Sequence, residues 1–158
     1  MGHSEGQPDP QSASKPRRVV IPSLAAKAHA LQHRMVEDAR AAGFSNEDCF
    51  AIQLALDEAL ANAIKHGNCD DPDKKVAVEY HVDASRFEAR VRDEGCGFDP
   101  EDVPDPTAEE NLNRPHGRGV LLMRAYMDEV SYSDRGRCVH LVRTPGGPAA
   151  RPCETDEA

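Results

Sequence analysis

The segment LALDEALANAIKHGN, residues 54–68, has the Leu and Ala content of a good helix, yet it carries Glu58, Asn62, Lys65 and His66 in its second half. At about 100° per residue, Glu58 and Asn62 stand one turn apart on the same side, with Lys65 and His66 beside them in a fan about 100° wide. Ile52, Leu56, Ala59, Leu60 and Ala63 fall on a separate arc able to dock on a core, and Gln53 and Asp57 lie on another side. The four polar groups therefore form one ridge that borders the core without filling it. Such a ridge is ordinarily a solvated face, so its meaning depends on what the rest of the chain brings beside it.

Upstream, SNED (45–48) offers a capping-box-like start for this helix, Ser45 with Asp48 in place of Glu, and the helix is expected to run to Gly67. Before it, RRVVIP (17–22) reads as a short strand, and Ser23 as the N-cap of a helix over residues 24–42 that stops at Gly43. Downstream, NCDDPD (68–73) is a polar loop. KVAVEYHV (75–82) and RFEARVRD (86–93), joined by DAS, alternate as an antiparallel hairpin does. Residues 99–116, acidic and broken by proline, form a long loop of the kind that usually carries function. A helix over 119–128 then precedes a second hairpin, EVSYSD (129–134) and RCVHLVR (137–143), turned through Arg135 and Gly136. This order predicts an α+β fold: a two-layer α/β sandwich whose sheet is mixed but mostly antiparallel, with helices on one face.

Composition narrows the function. The 158 residues suit one domain, and with no Trp and 4% aromatics the core must be aliphatic. Residues 1–16 and 144–158 are rich in Ser, Pro, Gly and charge, and are expected to be disordered and flexible respectively, which leaves a domain over 17–143. A net charge of −9 and a pI near 5.2 argue against direct nucleic-acid binding. No stretch approaches the length of a membrane span, so the expectation is a cytoplasmic protein with no membrane partner. Five scattered cysteines without a CxxC pair read as free thiols. His29, His33 and Glu37 have helical i, i+4 spacing that could serve a metal, but a solvated helix face explains them more simply.

Two further segments bear on the ridge. RDEGCGF (92–98) leaves a strand through Asp93, Gly95 and Gly97, a carboxylate followed by two residues free to take unusual backbone angles. An ordinary turn has that composition too. The functional alternative is a flat pocket beside a carboxylate, and an ionised Asp accepts from the amino group of adenine while repelling the carbonyl of guanine. PHGRGVLLM (115–123) sets Gly117 and Gly119 at a helix start, where unpaired N–H groups and the dipole suit phosphate oxygens. A Gly hinge is the plainer account of the same residues. The P-loop pattern GxxxxGK[ST] does not occur.

Together the three segments resemble the GHKL, or Bergerat-type, ATP-binding domain of gyrase, the ninety-kilodalton heat-shock chaperone, sensor histidine kinases and the mismatch-repair ATPases. The N-box resemblance lies in Glu58 and Asn62, followed by His66 and Gly67; the G1-box in Asp93, Gly95 and Gly97; the G2-box in Gly117 and Gly119. More narrowly, LDEALANAIKHGN (56–68) and GRGVLLMRAYMDEV (117–130) look like the anti-sigma factor serine kinases of bacterial partner-switching systems. Val120 stands where many of those relatives carry Leu, a conservative departure.

The resemblance implies ATP and Mg²⁺, with Asn62 helping to hold the metal that bridges the phosphates, Glu58 as general base toward a serine hydroxyl, and Asp93 reading adenine. It implies that the Gly117–Gly119 helix start cradles phosphates. Arg114 and Arg118 are the nearest cations able to neutralise the γ-phosphoryl, and the sequence does not choose between them. His66 would make a polar contact near the phosphates, or would merely complement a helix C-terminus. The 99–116 loop would be an ATP lid hinged at Gly117 and Gly119. The implied partners are a sigma factor and an anti-sigma antagonist protein, with a homodimer in keeping with many relatives. A nucleotide-gated module that binds a sigma factor or other regulator without transferring phosphate uses nearly the same residues. A sensor-kinase reading is disfavoured, because no histidine here is followed by Asp or Glu.

Overall fold

Alternating burial builds the sheet. The computed structural model describes residues 15–95 and 115–147, with backbone alone for 115–119. Gly97, Arg114, most of the 99–116 loop and residues 1–14 and 148–158 lie outside the described residues. Five strands, β1 (Arg17–Pro22), β2 (Lys75–Val82), β3 (Phe87–Arg92), β4 (Glu129–Ser133) and β5 (Cys138–Arg143), form one sheet in the order β1-β2-β3-β5-β4. Every pairing among them is antiparallel, so the mixed component expected from the sequence is not found among the described strands. The short β2–β3 and β4–β5 connections permit no other geometry, since a parallel pair needs a long crossover. The second turn runs through Asp134, Arg135 and Gly136, all at positive φ, as the sequence placed it.

In register, Val78, Val91 and Val139 line up across three strands, as do Tyr80, Ala89 and Leu141, and all six are buried. Successive residues point to opposite faces, so Glu79, Arg90 and His140 align on the other side, where His140 meets Glu88 at 2.6 Å. One face is the core and the other is polar.

Three helices cover the apolar face: α1 (Ala25–Ala41), α2 (Asn46–Asn62) and α3 (Pro115–Tyr126), with α2 packed between the other two. Its Ile52, Leu56, Ala59 and Leu60, with Ala63 just past its end, are all buried, and Gln53 and Asp57 are exposed, as the periodicity requires. Burial of a side chain such as Leu56 is worth about 1.5–3 kcal/mol, which fixes the rotation of α2 and with it the direction of the ridge.

Three local expectations are corrected. Ser23 is not the cap of α1: the cap position is Leu24, without a side-chain hydrogen bond, and the buried Ser23 hydroxyl donates to the Lys74 carbonyl (2.7 Å). The helix over 54–68 is not uniform, because α2 gives way at Ala63–Gly67 to a π-helical turn closed by Asn68 N–H on the Ala63 carbonyl (2.8 Å). Wide turns of this kind often occur at functional sites. Finally, α3 starts at Pro115 instead of Gly119; proline's fixed φ and missing N–H suit the first helical position.

Candidate functional site

Glu58 and Asn62 ride on α2, whose apolar arc is fixed against the sheet. The Ser45 hydroxyl caps this helix, accepting from Asp48 N–H (3.1 Å) and donating to Asp48 Oδ2 (3.0 Å), while Asp48 Oδ1 is taken by the buried Arg143. Glu58 is half-buried. Burial pushes its carboxyl above the ordinary range, Asp57 adds to the rise and Lys65 opposes it. A carboxylate tuned upward is better matched to taking a proton near neutral pH than an ordinary one.

One turn on, the Asn62 side-chain nitrogen is buried and makes no hydrogen bond. Buried amide groups are rarely left so, and Asn62 therefore carries an unmatched donor beside the cleft. Asn62 and Asp93 line one cleft, together with Ala59, Ala63, Met123 and Arg137. Two boxes that are 31 positions apart in the chain thus face the same space.

Asp93 follows β3 and is 7% exposed. Its backbone N–H donates to the Arg137 carbonyl (2.9 Å), and Gly95 N–H donates to its Oδ1 (2.9 Å). Burial raises its carboxyl above the usual range; the Gly95 N–H and the Arg137 guanidinium pull it back, and Asp134 works the other way. Gly95 is required by space, because a Cβ there would overlap the backbone carbonyl of Gly67. The N-box and G1-box glycines are in mutual contact.

Lys65 and His66 are exposed in the π-helical turn and are not among the described residues lining the Asn62–Asp93 cleft; Lys65 lines a groove with Ser23, Ala28 and Asp57. Gly117 falls in the first turn of α3, where N–H groups lack helical partners, whereas Gly119 lies a residue past it. The backbone of Arg118 is in the same helix, and Gly97 and Arg114 lie outside the described residues. His29, His33 and Glu37 are exposed, and no group of three His, Cys, Asp or Glu among the described residues is arranged to hold a metal.

Two residues of the site carry no signal in the sequence. Asn68 is fully buried; its amide nitrogen donates to the Ser23 hydroxyl (2.8 Å) and the Lys75 carbonyl (2.9 Å), and its oxygen accepts Glu94 N–H (2.8 Å). It ties the end of the helix to both ends of the first hairpin. An Asn after His-Gly reads as a helix stop, and only the fold turns it inward. Arg137, in the β4–β5 turn, likewise reads as a surface residue.

These features define a class. Over residues 21–143 the chain matches the sequence profile of the histidine kinase-like ATPase domain, and it belongs to that family. Within it, the chain is 34% identical over 109 residues to the serine-protein kinase RsbW of Listeria innocua, covering 65% of this chain and 69% of that protein. It is 39% identical over 82 residues to an anti-sigma F factor of Halalkalibacterium halodurans, covering 50% and 56%. Among solved structures, that of the RsbU and RsbW domains of Rv1364c from Mycobacterium tuberculosis superposes with a TM-score of 0.56 at 17% identity, over 87% of this chain and 33% of that one, a likeness of fold. No helix among the described residues is long and apolar enough to cross a membrane.

Proposed function

We propose that this protein is an ATP-dependent serine protein kinase that also binds a sigma factor, and that it phosphorylates a serine of an antagonist protein. The observation that carries the reading is the meeting of Asn62 and Asp93 on one cleft, with Glu58 a turn away on α2. The names borne by the relatives, a serine-protein kinase and an anti-sigma F factor, supply the substrate class and the partner.

In this reading Asp93 accepts from the adenine amino group, and the first turn of α3, through Gly117, faces phosphate oxygens. Asn62 fits a place at Mg²⁺ through its amide oxygen, a ligand of the kind a hard cation takes, while its unmatched buried nitrogen suits a phosphate oxygen as acceptor. When bound, that ion neutralises phosphate charge. Glu58 removes the proton from the serine hydroxyl, whose oxygen bonds to the γ-phosphorus as the bond to the β–γ bridging oxygen breaks, and ADP carries away the electron pair. Arg114 or Arg118 steadies the γ-phosphoryl, with the 99–116 segment as the lid. A cytoplasmic location and a homodimer accord with this role.

The test is to incubate the purified chain with magnesium, γ-labelled ATP and a candidate antagonist. Label on a serine of the antagonist is expected. Tight nucleotide binding without transferred label would leave only a nucleotide-gated binding role.

A further inference from the structure

The β4–β5 turn reaches across to the loop that carries Asp93, and Arg137 makes the connection. Its carbonyl accepts Asp93 N–H (2.9 Å), and its Nε donates to the Gly95 carbonyl (2.7 Å). The guanidinium is flanked by Asp134, 3.5 Å from its terminal nitrogen, and Asp134 also holds Arg92 at 2.5 Å. On the opposite side Asn68 accepts Glu94 N–H, so residues 93–95 are gripped from two directions. The grips differ in kind. Asn68 is neutral and fully buried, whereas Arg137 lines the cleft itself, with its side chain 31% exposed. Among the described residues lining that cleft, Arg137 is the one cation, and Asp93 is the one carboxylate.

A carboxylate in such a place needs two kinds of help to act as a hydrogen-bond acceptor. Its loop must be held so that its free lone pairs face the ligand, and its charge must be supported against desolvation. Arg137 is placed to give both. A guanidinium can do this because its planar fork presents several N–H groups at once, so one can bind a carbonyl while the charge remains beside the acid.

We propose that Arg137 is a positioning residue for base recognition, fixing the Asp93–Gly95 turn and supporting the Asp93 charge, and so setting the preference of the site for a purine that carries a 6-amino group. The inference rests on the reading of Asp93 as the acceptor for adenine. Arg137→Gln removes the charge and shortens the side chain; Arg137→Lys keeps the charge and one donor.

Calorimetry compares ADP with purine riboside diphosphate, which lacks the amino group, on the full chain and both variants, each checked for folding by circular dichroism. The unmodified protein should prefer ADP. In Arg137→Gln, ADP affinity should fall about tenfold, the scale of one good polar contact, while purine riboside diphosphate changes less than about threefold. Arg137→Lys should recover most of the preference. Equal weakening of both ligands, or a lysine variant no better than glutamine, would reduce Arg137 to a structural staple and overturn the proposal. An undiminished preference in Arg137→Gln overturns it too, while leaving Asp93 as the reader. No preference in the unmodified protein removes the Asp93 reading and this inference together.

Discussion

Gly67 and Asp93 touch so closely that no side chain fits between them: a Cβ on Gly67 would overlap the Asp93 carboxyl group, standing 2.7 Å from its Oδ1. The π-helical turn that ends the second helix therefore delivers a bare backbone to the acid. Gly67→Ala should push Asp93 out of place, cost about 1–3 kcal/mol of stability as an overpacked site does, and weaken nucleotide binding. Chemical denaturation and calorimetry read the two effects, and an alanine variant of normal affinity would contradict the arrangement.

Asp93→Asn separates recognition from folding. The amide oxygen can still accept Gly95 N–H, but the group no longer carries the charge that burial disfavours. A carboxyl whose folded pKa is raised binds its proton more tightly in the native state, so its ionisation costs stability. That cost appears as pH rises above the ordinary carboxylate value and is complete above the raised one. Without nucleotide, the variant should match or exceed the parent in thermal stability at neutral pH, with the gap closing in acid. Its affinity for ATP should drop by about 1–3 kcal/mol. Thermal melts against pH, with and without ATP, check both signs.

Glu58 and Asn62 share a helix face but should fail differently. Glu58→Ala should keep nucleotide and lose about 10²–10⁴-fold in phosphoryl transfer, the range of a general base. Asn62→Ala should abolish the magnesium dependence of ATP binding, since the amide is its proposed tie to the ion. Titrations of ATP with and without magnesium, beside single-turnover assays, distinguish them. Matching losses in the two variants would place both residues in one role.

How far the sequence reaches can be judged residue by residue. The rotation of the second helix was legible, because Ile52, Leu56, Ala59, Leu60 and Ala63 repeat at helical spacing and the core accepts them. The hairpins were legible from alternation and from a turn that only a few residue types tolerate. The switch to a π-helical turn at Ala63 was not, because a one-residue widening leaves no mark in periodicity. Ser23 looked like a cap because serine so often is one; here its hydroxyl joins the Asn68 cluster instead, a contact 45 positions away. Arg137 has no signal for the same reason: a turn arginine has no local signature, and its partners Asp93 and Gly95 lie in the loop after β3, at least 42 positions away.

The strongest prediction for the scaffold concerns Asp48 and Arg143, 95 positions apart and almost fully buried. Arg143 donates to Asp48 Oδ1 through two nitrogens (3.1 and 2.8 Å) and to the Tyr126 carbonyl through a third (2.5 Å), and Gly146 N–H also reaches Asp48. The last turn of the third helix is thus fastened to the first turn of the second, and both helices line the cleft that holds Asn62 and Asp93. The same pair holds Gly146 and Gly147, which composition alone assigned to the tail. Burial works to raise the Asp48 carboxyl, but Arg143, the Gly146 N–H and the Ser45 hydroxyl outweigh it and hold it below its ordinary value. A depressed carboxylate contributes stability that is present above its unfolded pKa and disappears as pH falls through the lower, folded one. Asp48→Asn should therefore unfold more easily by about 3–5 kcal/mol at neutral pH, because it leaves a buried guanidinium uncompensated, and should show a shallower decline in acid than the parent. Replacing both residues, Asp48→Leu with Arg143→Met, should recover much of that loss, since neither charge is then stranded. Urea midpoints from neutral pH into acid measure all three chains. An Asp48→Asn variant with the parent's acid slope would show that this pair does not set it.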